Sequence, residues 1–154
     1  MWAPDFKDIL SALSTERADY LLVGAYALAL HGLPRATGDL DIWVRATPEN
    51  ADRVLAALRR FGAPMEHFDR DNLSRPGWVF QMGVVPLRID IITEVSGVTF
   101  DEAWAGRVTV ESEGVSVPVA DRSTLIRNKK ASGRPKDLLD VAELEKLTRH
   151  PRKA

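Results

Sequence analysis

Two aspartates separated by a single apolar residue, Asp39-Leu40-Asp41, constrain this chain more than any other feature. Apolar residues follow at 42–44, so the segment predicts a strand whose side chains alternate between the two faces of a sheet. Positions 40, 42 and 44 can then enter a core, while Asp39, Asp41 and Trp43 share the opposite face. The two aspartates would lie about 6.6 Å apart at their Cα atoms, close enough for both to reach one hard cation. Paired like charges are costly unless something positive neutralises them, and a metal ion that also holds phosphates meets that need.

Composition narrows the class of protein. The chain has 154 residues, 45% of them apolar and 28% charged, which is typical of one globular domain spanning residues 1–154. A net charge of −1 gives no overall attraction to nucleic acid, and no apolar run approaches the roughly 20 residues of a membrane span. The chain has no cysteine, which excludes disulfides and thiolate metal sites. We therefore expect a cytoplasmic protein without a membrane partner.

Apolar periodicity predicts a mixed α/β order of elements. Helices are expected at 4–17, 25–31, 47–61, 100–105, 121–130 and from residue 135, and strands at 20–23, 40–45, 78–82, 87–93, 108–110 and 115–119. Residues 62–77 are interpreted as a loop, and the basic tail 149–154 as frayed. The inner side of the last helix is assigned to Leu138, Val141, Leu144 and Leu147. The expected fold is a mixed β-sheet flanked by helices.

A third carboxylate is available in the apolar strand 87–93, in which Arg88 and Asp90 occupy one face. If this strand lies beside the first aspartate strand, Asp90 completes a group of three carboxylates. Two Mg²⁺ ions held roughly 3.5–4 Å apart by such a group stabilise the attacking and leaving oxygens of a displacement at phosphorus. Mg²⁺ suits this task because it combines a few carboxylates with substrate phosphates. The alternative is a salt bridge from Asp90 to Arg88 or Arg35.

The segment Val23-Gly24-Ala25 predicts an anion site. A strand that ends in glycine and runs directly into a helix presents free backbone N–H groups, to which the helix dipole adds. Gly24 would let a phosphate approach the backbone without a Cβ in the way. Arg35 and Thr37 lie on the loop that enters the aspartate strand, where contact with phosphate and a local structural role are both open.

A Gly-small turn, an Asp-x-Asp strand and a later lone Asp occur here in an order that resembles the nucleotidyltransferase superfamily of the DNA polymerase β-type fold. The resemblance covers residues 21–44, 87–93 and 125–141 and points to minimal and toxin-type nucleotidyltransferases of bacteria. It implies that Asp39, Asp41 and Asp90 bind Mg²⁺ and that Asp90 also deprotonates the attacking hydroxyl. It implies further that Gly24 and Ala25 hold the triphosphate. Many relatives have serine or glycine at the position of Ala25. The alanine keeps the backbone N–H donor but offers no hydroxyl to a phosphate.

A late basic segment resembles the Lys, then Arg-x-Lys-Asp, segment near the active site of the small relatives. Lys129 is the better match for the lysine, with Lys130 as its rival. Arg134 and Asp137 complete the match as nucleotide-binding residues. Asp137 and Asp140 lie one helical turn apart and could orient Lys129 or Arg134. The alternative is a solvated basic face.

The resemblance implies an enzyme that transfers a nucleoside monophosphate from ATP or another nucleoside triphosphate to a hydroxyl. Asp39, Asp41, Asp90 and Lys129 are its expected catalytic residues. The acceptor stays open between tRNA, a protein side chain and a small molecule such as an antibiotic, and a homodimer or an antitoxin-like partner could complete the site. The alternative is a non-catalytic protein of the same fold that binds nucleotide or a partner and has a regulatory role.

Overall fold

The structure is a computed structural model that describes residues 2–34, 38–84 and 87–149. Its helices are α1 (Pro4–Thr15), α2 (Gly24–Leu30), α3 (Pro48–Phe61), α4 (Arg70–Leu73), α5 (Phe100–Ala105), α6 (Arg122–Ser132) and α7 (Pro135–Arg149), with a 3₁₀ turn at Met65–His67. Its strands are β1 (Tyr20–Val23), β2 (Asp39–Val44), β3 (Val79–Val84), β4 (Leu87–Ile92), β5 (Val108–Ser112) and β6 (Val115–Val119). None of these helices has the length and apolar character needed to cross a bilayer.

The strands form one mixed sheet in the order β3-β4-β2-β1-β6-β5. β2 pairs antiparallel with β1 and parallel with β4. β3 and β4 form one antiparallel hairpin, and β5 and β6 form another. This order makes β2 and β4 neighbours even though α3, α4 and β3 separate them along the chain. The two strands that carry the predicted aspartates therefore lie side by side.

Side-chain caps set the starts of the longer helices. Thr47 caps α3 by accepting a hydrogen bond from the N–H of Asn50, and Pro48 occupies the first turn. Asp121 caps α6 in the same way by accepting from the N–H of Thr124. Both helix starts are confirmed, because each depends on a short polar residue placed directly before the helical pattern.

The core lies around the central strands. β1 is buried along its whole length, and Leu40, Ile42 and Val44 of β2 expose no surface. α1 packs against α3 and β6, while α2 packs against β1 and β2. Because positions 40, 42 and 44 point inward, Asp39 and Asp41 are left on the other face, where they are partly exposed. The alternation predicted for β2 is confirmed.

The prediction of a plain loop at 62–77 is wrong in part. This stretch contains the 3₁₀ turn and the one-turn helix α4. The Asp69 side chain accepts a hydrogen bond from the N–H of Asp71 at the start of α4, and Leu73 at its end is completely buried. α4 packs against α3, so this short helix depends on a tertiary contact that local composition does not reveal.

The inner side of α7 also differs from the prediction. Leu138 is 51% exposed, so its assignment to the core is wrong. The inward residues further along are Val141 and Leu144, which are buried, and Leu147, which is partly buried. In the first turns the buried positions belong to Asp137 and Asp140, because cations of α6 and of the α6–α7 turn neutralise them. Residues 150–154 of the tail expected to fray lie outside the described residues.

Candidate active site

The parallel pairing of β2 with β4 gathers the predicted carboxylates. Asp41 lies opposite Asp90, and Asp39 lies opposite Arg88. Because side chains alternate along both strands, all four project from the same face of the sheet. The condition that the sequence left open, that the strand of Asp90 lies beside the first aspartate strand, is therefore met. We call Asp39, Asp41 and Asp90 the acidic cluster.

Arg88 binds two members of the acidic cluster. Its Nε donates to Asp90 Oδ1 at 3.0 Å, and its Nη2 donates to Asp39 Oδ2 at 3.0 Å and to Asp90 Oδ2 at 3.3 Å. These contacts, with the Asp90 hydrogen bond foremost, raise the pKa of the Arg88 guanidinium. The salt bridge from Asp90 to Arg88 that the sequence left open is thus present. Arg88 thus links Asp39 of β2 to Asp90 of β4.

Asp41 is a strongly perturbed acid. The pKa of Asp41 is raised from 3.8 to about 7, mainly by burial. The charges of Asp90 and Asp39 and a hydrogen bond to Asp90 contribute to this rise, and the charge of Arg88 opposes it. Asp41 is therefore partly protonated near neutral pH. A cation bound between the carboxylates would favour their ionised forms, so metal binding here would release a proton.

Gly24 packs directly against the acidic cluster. Its φ of +72° lies in the left-handed region, and a Cβ at this position would overlap the Asp41 carboxylate. Glycine is therefore needed for backbone conformation and for space. The Asp41 carboxylate occupies the space that a Cβ of residue 24 would fill. The sequence predicts instead that a phosphate uses this space, so the structural reason for glycine here is a different one. Ala25 follows in the first turn of α2 and is partly exposed.

The α6–α7 hairpin holds a second group of predicted residues. Lys129 Nζ lies 2.9 Å from Asp140 Oδ2 and 3.5 Å from Asp137 Oδ1, and Arg134 Nε donates to Asp137 Oδ2 at 2.7 Å. The hydrogen bond from Arg134 is the main cause of a lowered pKa for Asp137. The two aspartates thus orient Lys129 and Arg134, as their one-turn spacing predicts. Lys130 instead reaches Glu145 at an exposed position, which favours Lys129 as the residue fixed in place.

Two predicted nucleotide-binding residues, Arg35 and Thr37, lie outside the described residues. Sequence reasoning treated Arg88 only as a salt-bridge partner of Asp90 and missed its contact with Asp39. The signal was available in part, since strand alternation already places Arg88 on the face of Asp90. Its second contact depends on the register between β2 and β4, which only the assembled sheet provides.

Trp43 is packed and does not share an open cleft with the aspartates. It is 2% exposed and meets Phe100 of α5 edge to face, with ring centroids 5.2 Å apart. It therefore packs against α5. A cavity of about 490 Å³ opens at this end of β2 and β4, and its lining includes Trp43, Phe100, Arg45 and Glu94. No motif in the sequence predicts this cavity.

The acidic cluster fits a divalent cation in residue type. Hard carboxylate oxygens on two adjacent strands are the donors that Mg²⁺ prefers. In the described part of the chain, however, no group of three or more His, Asp and Glu side chains is arranged to hold a metal ion as it stands. The guanidinium of Arg88 lies against two of the three carboxylates, where a cation would need them. The site is therefore suited to a cation but requires Arg88 to move.

No protein-family model matches the chain, and no curated protein sequence matches it. Solved structures are similar along nearly the whole length. A Thermotoga maritima protein proposed to be a nucleotidyltransferase aligns with 97% of this chain and 96% of its own, at 18% identity and a TM-score of 0.56. The antibiotic-resistance factor ANT(2'')-Ia, in complex with adenylyl-2''-tobramycin, aligns with 92% of this chain and 86% of its own, at 16% identity and a TM-score of 0.55.

These similarities establish the architecture: the chain has the nucleotidyltransferase fold. The mixed sheet flanked by helices that the sequence predicts is confirmed by the strand order, and the superfamily resemblance is confirmed at the level of fold. The toxin-type detail stays a prediction.

Proposed function

We propose that the chain is a metal-dependent nucleotidyltransferase that moves a nucleoside monophosphate from a nucleoside triphosphate to a hydroxyl of a small molecule. The observation that supports this most is the acidic cluster, which joins three carboxylates from two parallel strands with a glycine turn packed against Asp41. A simple salt bridge uses one or two acids, whereas here three carboxylates lie together, and burial and their mutual repulsion raise the pKa of Asp41 to about 7. The fold adds support, since similar solved structures are nucleotidyltransferases by name.

Each residue of the site has a proposed task. Asp39, Asp41 and Asp90 would hold a pair of Mg²⁺ ions, which would supply positive charge to the phosphates. The acceptor oxygen forms a bond to the α-phosphorus while the bond to pyrophosphate breaks, and Asp90 takes the hydroxyl proton. The backbone N–H groups of Gly24 and Ala25 bind the departing phosphates. Lys129 and Arg134, held by the aspartates of α7, offset the charge that develops on the leaving group.

The cavity beside Trp43 is the proposed binding place of the acceptor. Glu94, Asp101 and Glu102 contribute carboxylates to its lining, and Arg45, the cation among the lining residues, already pairs with Asp19 and Asp101. An acidic cavity of about 490 Å³ suits a small cationic molecule. Along β2, Trp43 lies one pleat repeat beyond Asp41, or about 6.6 Å. The acidic cluster does not line the cavity, so the reacting hydroxyl of an acceptor bound there would have to extend past Trp43 to the cluster. ANT(2'')-Ia, whose complex contains an adenylylated tobramycin, offers a parallel for such an acceptor.

The test is a labelling experiment. The protein is incubated with each α-³²P-labelled nucleoside triphosphate, Mg²⁺ and three acceptor pools: amino-bearing small alcohols, total tRNA and cell protein. Label on the small alcohols, lost in Asp41→Asn and kept in Asp52→Asn, supports the proposal. Asp52 is a suitable control because it is an exposed aspartate of α3 whose partner is Arg70. Label that appears equally with Asp41→Asn refutes the proposed role of the acidic cluster.

A second candidate is a nucleotide-binding protein without catalysis. Ala25 favours it, because the turn beside Asp41 lacks a hydroxyl for the phosphates. Nucleotide binding by calorimetry without any transfer to the acceptor pools would support this candidate. Acceptance of tRNA or protein, a toxin role, an antitoxin-like partner, a homodimer and a cytoplasmic location remain predictions from the sequence.

A further inference from the structure

Arg88 makes the contacts that a bound cation would otherwise make. Its guanidinium binds Asp39 on β2 and Asp90 on β4, with donor–acceptor distances between 3.0 and 3.3 Å. It therefore bridges the two strands of the site at the level of the acidic cluster. The Arg88 side chain is 30% exposed, so it lies at the border between the cluster and solvent.

Arg88 and a divalent cation cannot use the same carboxylates in full. Mg²⁺ needs oxygen ligands at about 2.0–2.1 Å in a nearly octahedral arrangement, which carboxylate oxygens engaged by a guanidinium do not provide. The described residues indeed contain no ready-made group of metal ligands. A cation that enters the cluster must therefore break the bonds of Arg88 to Asp39 and Asp90.

A displaced Arg88 would itself need an anion. The planar guanidinium with its fork of N–H donors matches a phosphate group as well as it matches a carboxylate. A nucleoside triphosphate complexed with Mg²⁺ supplies a new partner to each group: the metal binds the carboxylates, and the phosphates bind the guanidinium. The carboxylates and Arg88 therefore each keep an oppositely charged partner after the exchange.

We infer that Arg88 is an internal competitor of the metal and becomes a phosphate ligand when metal and nucleotide bind together. Metal alone then binds weakly, because it must leave Arg88 without a partner, whereas metal with nucleotide binds tightly. This inference rests on the proposed function, because it takes the acidic cluster to be a metal site. It adds a binding residue and a coupling between two ligands that the proposed function does not contain.

The test measures two affinities with opposite expected changes in Arg88→Met, which keeps much of the side-chain length and removes the charge. Calorimetry with Mg²⁺ and no nucleotide should show metal binding about ten-fold tighter than in the wild type. With saturating Mg²⁺, a non-hydrolysable nucleoside triphosphate analogue should bind about ten-fold more weakly. Arg70→Met, which breaks an exposed pair with Asp52, should change neither affinity.

The outcomes separate this inference from the proposed function. Competition by Arg88 is overturned if Arg88→Met binds Mg²⁺ no more tightly than the wild type does. The metal site itself still stands in that case, provided that the wild type binds Mg²⁺ and Asp41→Asn does not. Analogue affinity equal to that of the wild type overturns the phosphate contact. Absence of Mg²⁺ binding in both wild type and Arg88→Met overturns the metal site and this inference with it. If circular dichroism shows that Arg88→Met does not fold, Arg88→Lys replaces it, with shifts in the same two directions because the fork is lost.

Discussion

Replacing Asp41 by asparagine is expected to stabilise the fold above neutral pH. The pKa of Asp41 is raised in the folded protein from 3.8 to about 7, chiefly by burial. A raised pKa means that the folded protein favours the protonated carboxyl. The stability of the fold is therefore unaffected by Asp41 ionisation below about pH 4 and falls as the pH rises towards 7, where the carboxyl ionises. Asparagine cannot ionise, so the variant does not undergo this loss.

The size of the effect follows from the shift. At roughly 1.4 kcal/mol for each pH unit, a pKa raised from 3.8 to about 7 gives an upper bound of about 4 kcal/mol. Asp41 is partly exposed and solvent screens its charge, so we expect about half of this bound, or about 2 kcal/mol, at pH 8. The difference in free energy of unfolding between Asp41→Asn and the wild type should therefore grow between pH 4 and pH 7 and then level off.

Urea unfolding at pH 5 and pH 8, with EDTA present, measures this difference. Repeating the pH 8 series with enough Mg²⁺ to saturate the weak binding of metal alone should stabilise the wild type and leave Asp41→Asn unchanged. Asp52→Asn is the control, since Asp52 is exposed and lies outside the acidic cluster. A difference that does not change between pH 5 and pH 8, or an Asp41→Asn variant that is less stable than the wild type at pH 8, would refute the reasoning.

Three further predictions concern single positions. Gly24→Ala should lower the free energy of unfolding by about 2–3 kcal/mol, because the alanine must adopt a positive φ and displace the Asp41 carboxylate; wild-type stability in urea would contradict this. Asp140→Asn should cost about 1–2 kcal/mol in urea unfolding, since it weakens the partly buried contact with Lys129 at 2.9 Å. The control Glu145→Gln alters an exposed pair with Lys130 and should stay within about 0.5 kcal/mol, so equal losses in the two variants would count against a fixed Lys129. Glu94→Gln should raise KM for a cationic acceptor several-fold at unchanged kcat, and an unchanged KM would remove the cavity from the acceptor site.

Local signals account for most of the fold that the sequence predicts. Thr47 and Asp121 lie directly before helical patterns, and each caps a helix in the structure. The alternation in β2 separates its buried apolar residues from Asp39 and Asp41, so the faces of the strand follow from its own residues. Features of this kind depend on neighbours within a few positions along the chain, which is why they can be read in advance.

Features that depend on contacts between distant segments could not be read in this way. The pairing of β2 with β4 joins residues about fifty positions apart, so the place of Asp90 beside Asp41 was only conditional, and the contact between Arg88 and Asp39 was missed. Leu138 matches the apolar period of α7 but is exposed, because Asp137 takes the inward position and pairs with Lys129 and Arg134. The ion pairs that the one-turn spacing of Asp137 and Asp140 predicts therefore override the apolar period of α7.

The location of a bound metal tests the central claim most directly. The protein is crystallised with Mn²⁺, as a stand-in for Mg²⁺, and a non-hydrolysable nucleoside triphosphate analogue, and the anomalous signal of manganese is mapped. The account predicts a peak between the carboxylates of Asp41 and Asp90, with Arg88 moved away from Asp90. Analogue bound elsewhere, with no manganese at these carboxylates and Arg88 still paired with Asp39 and Asp90, would contradict it.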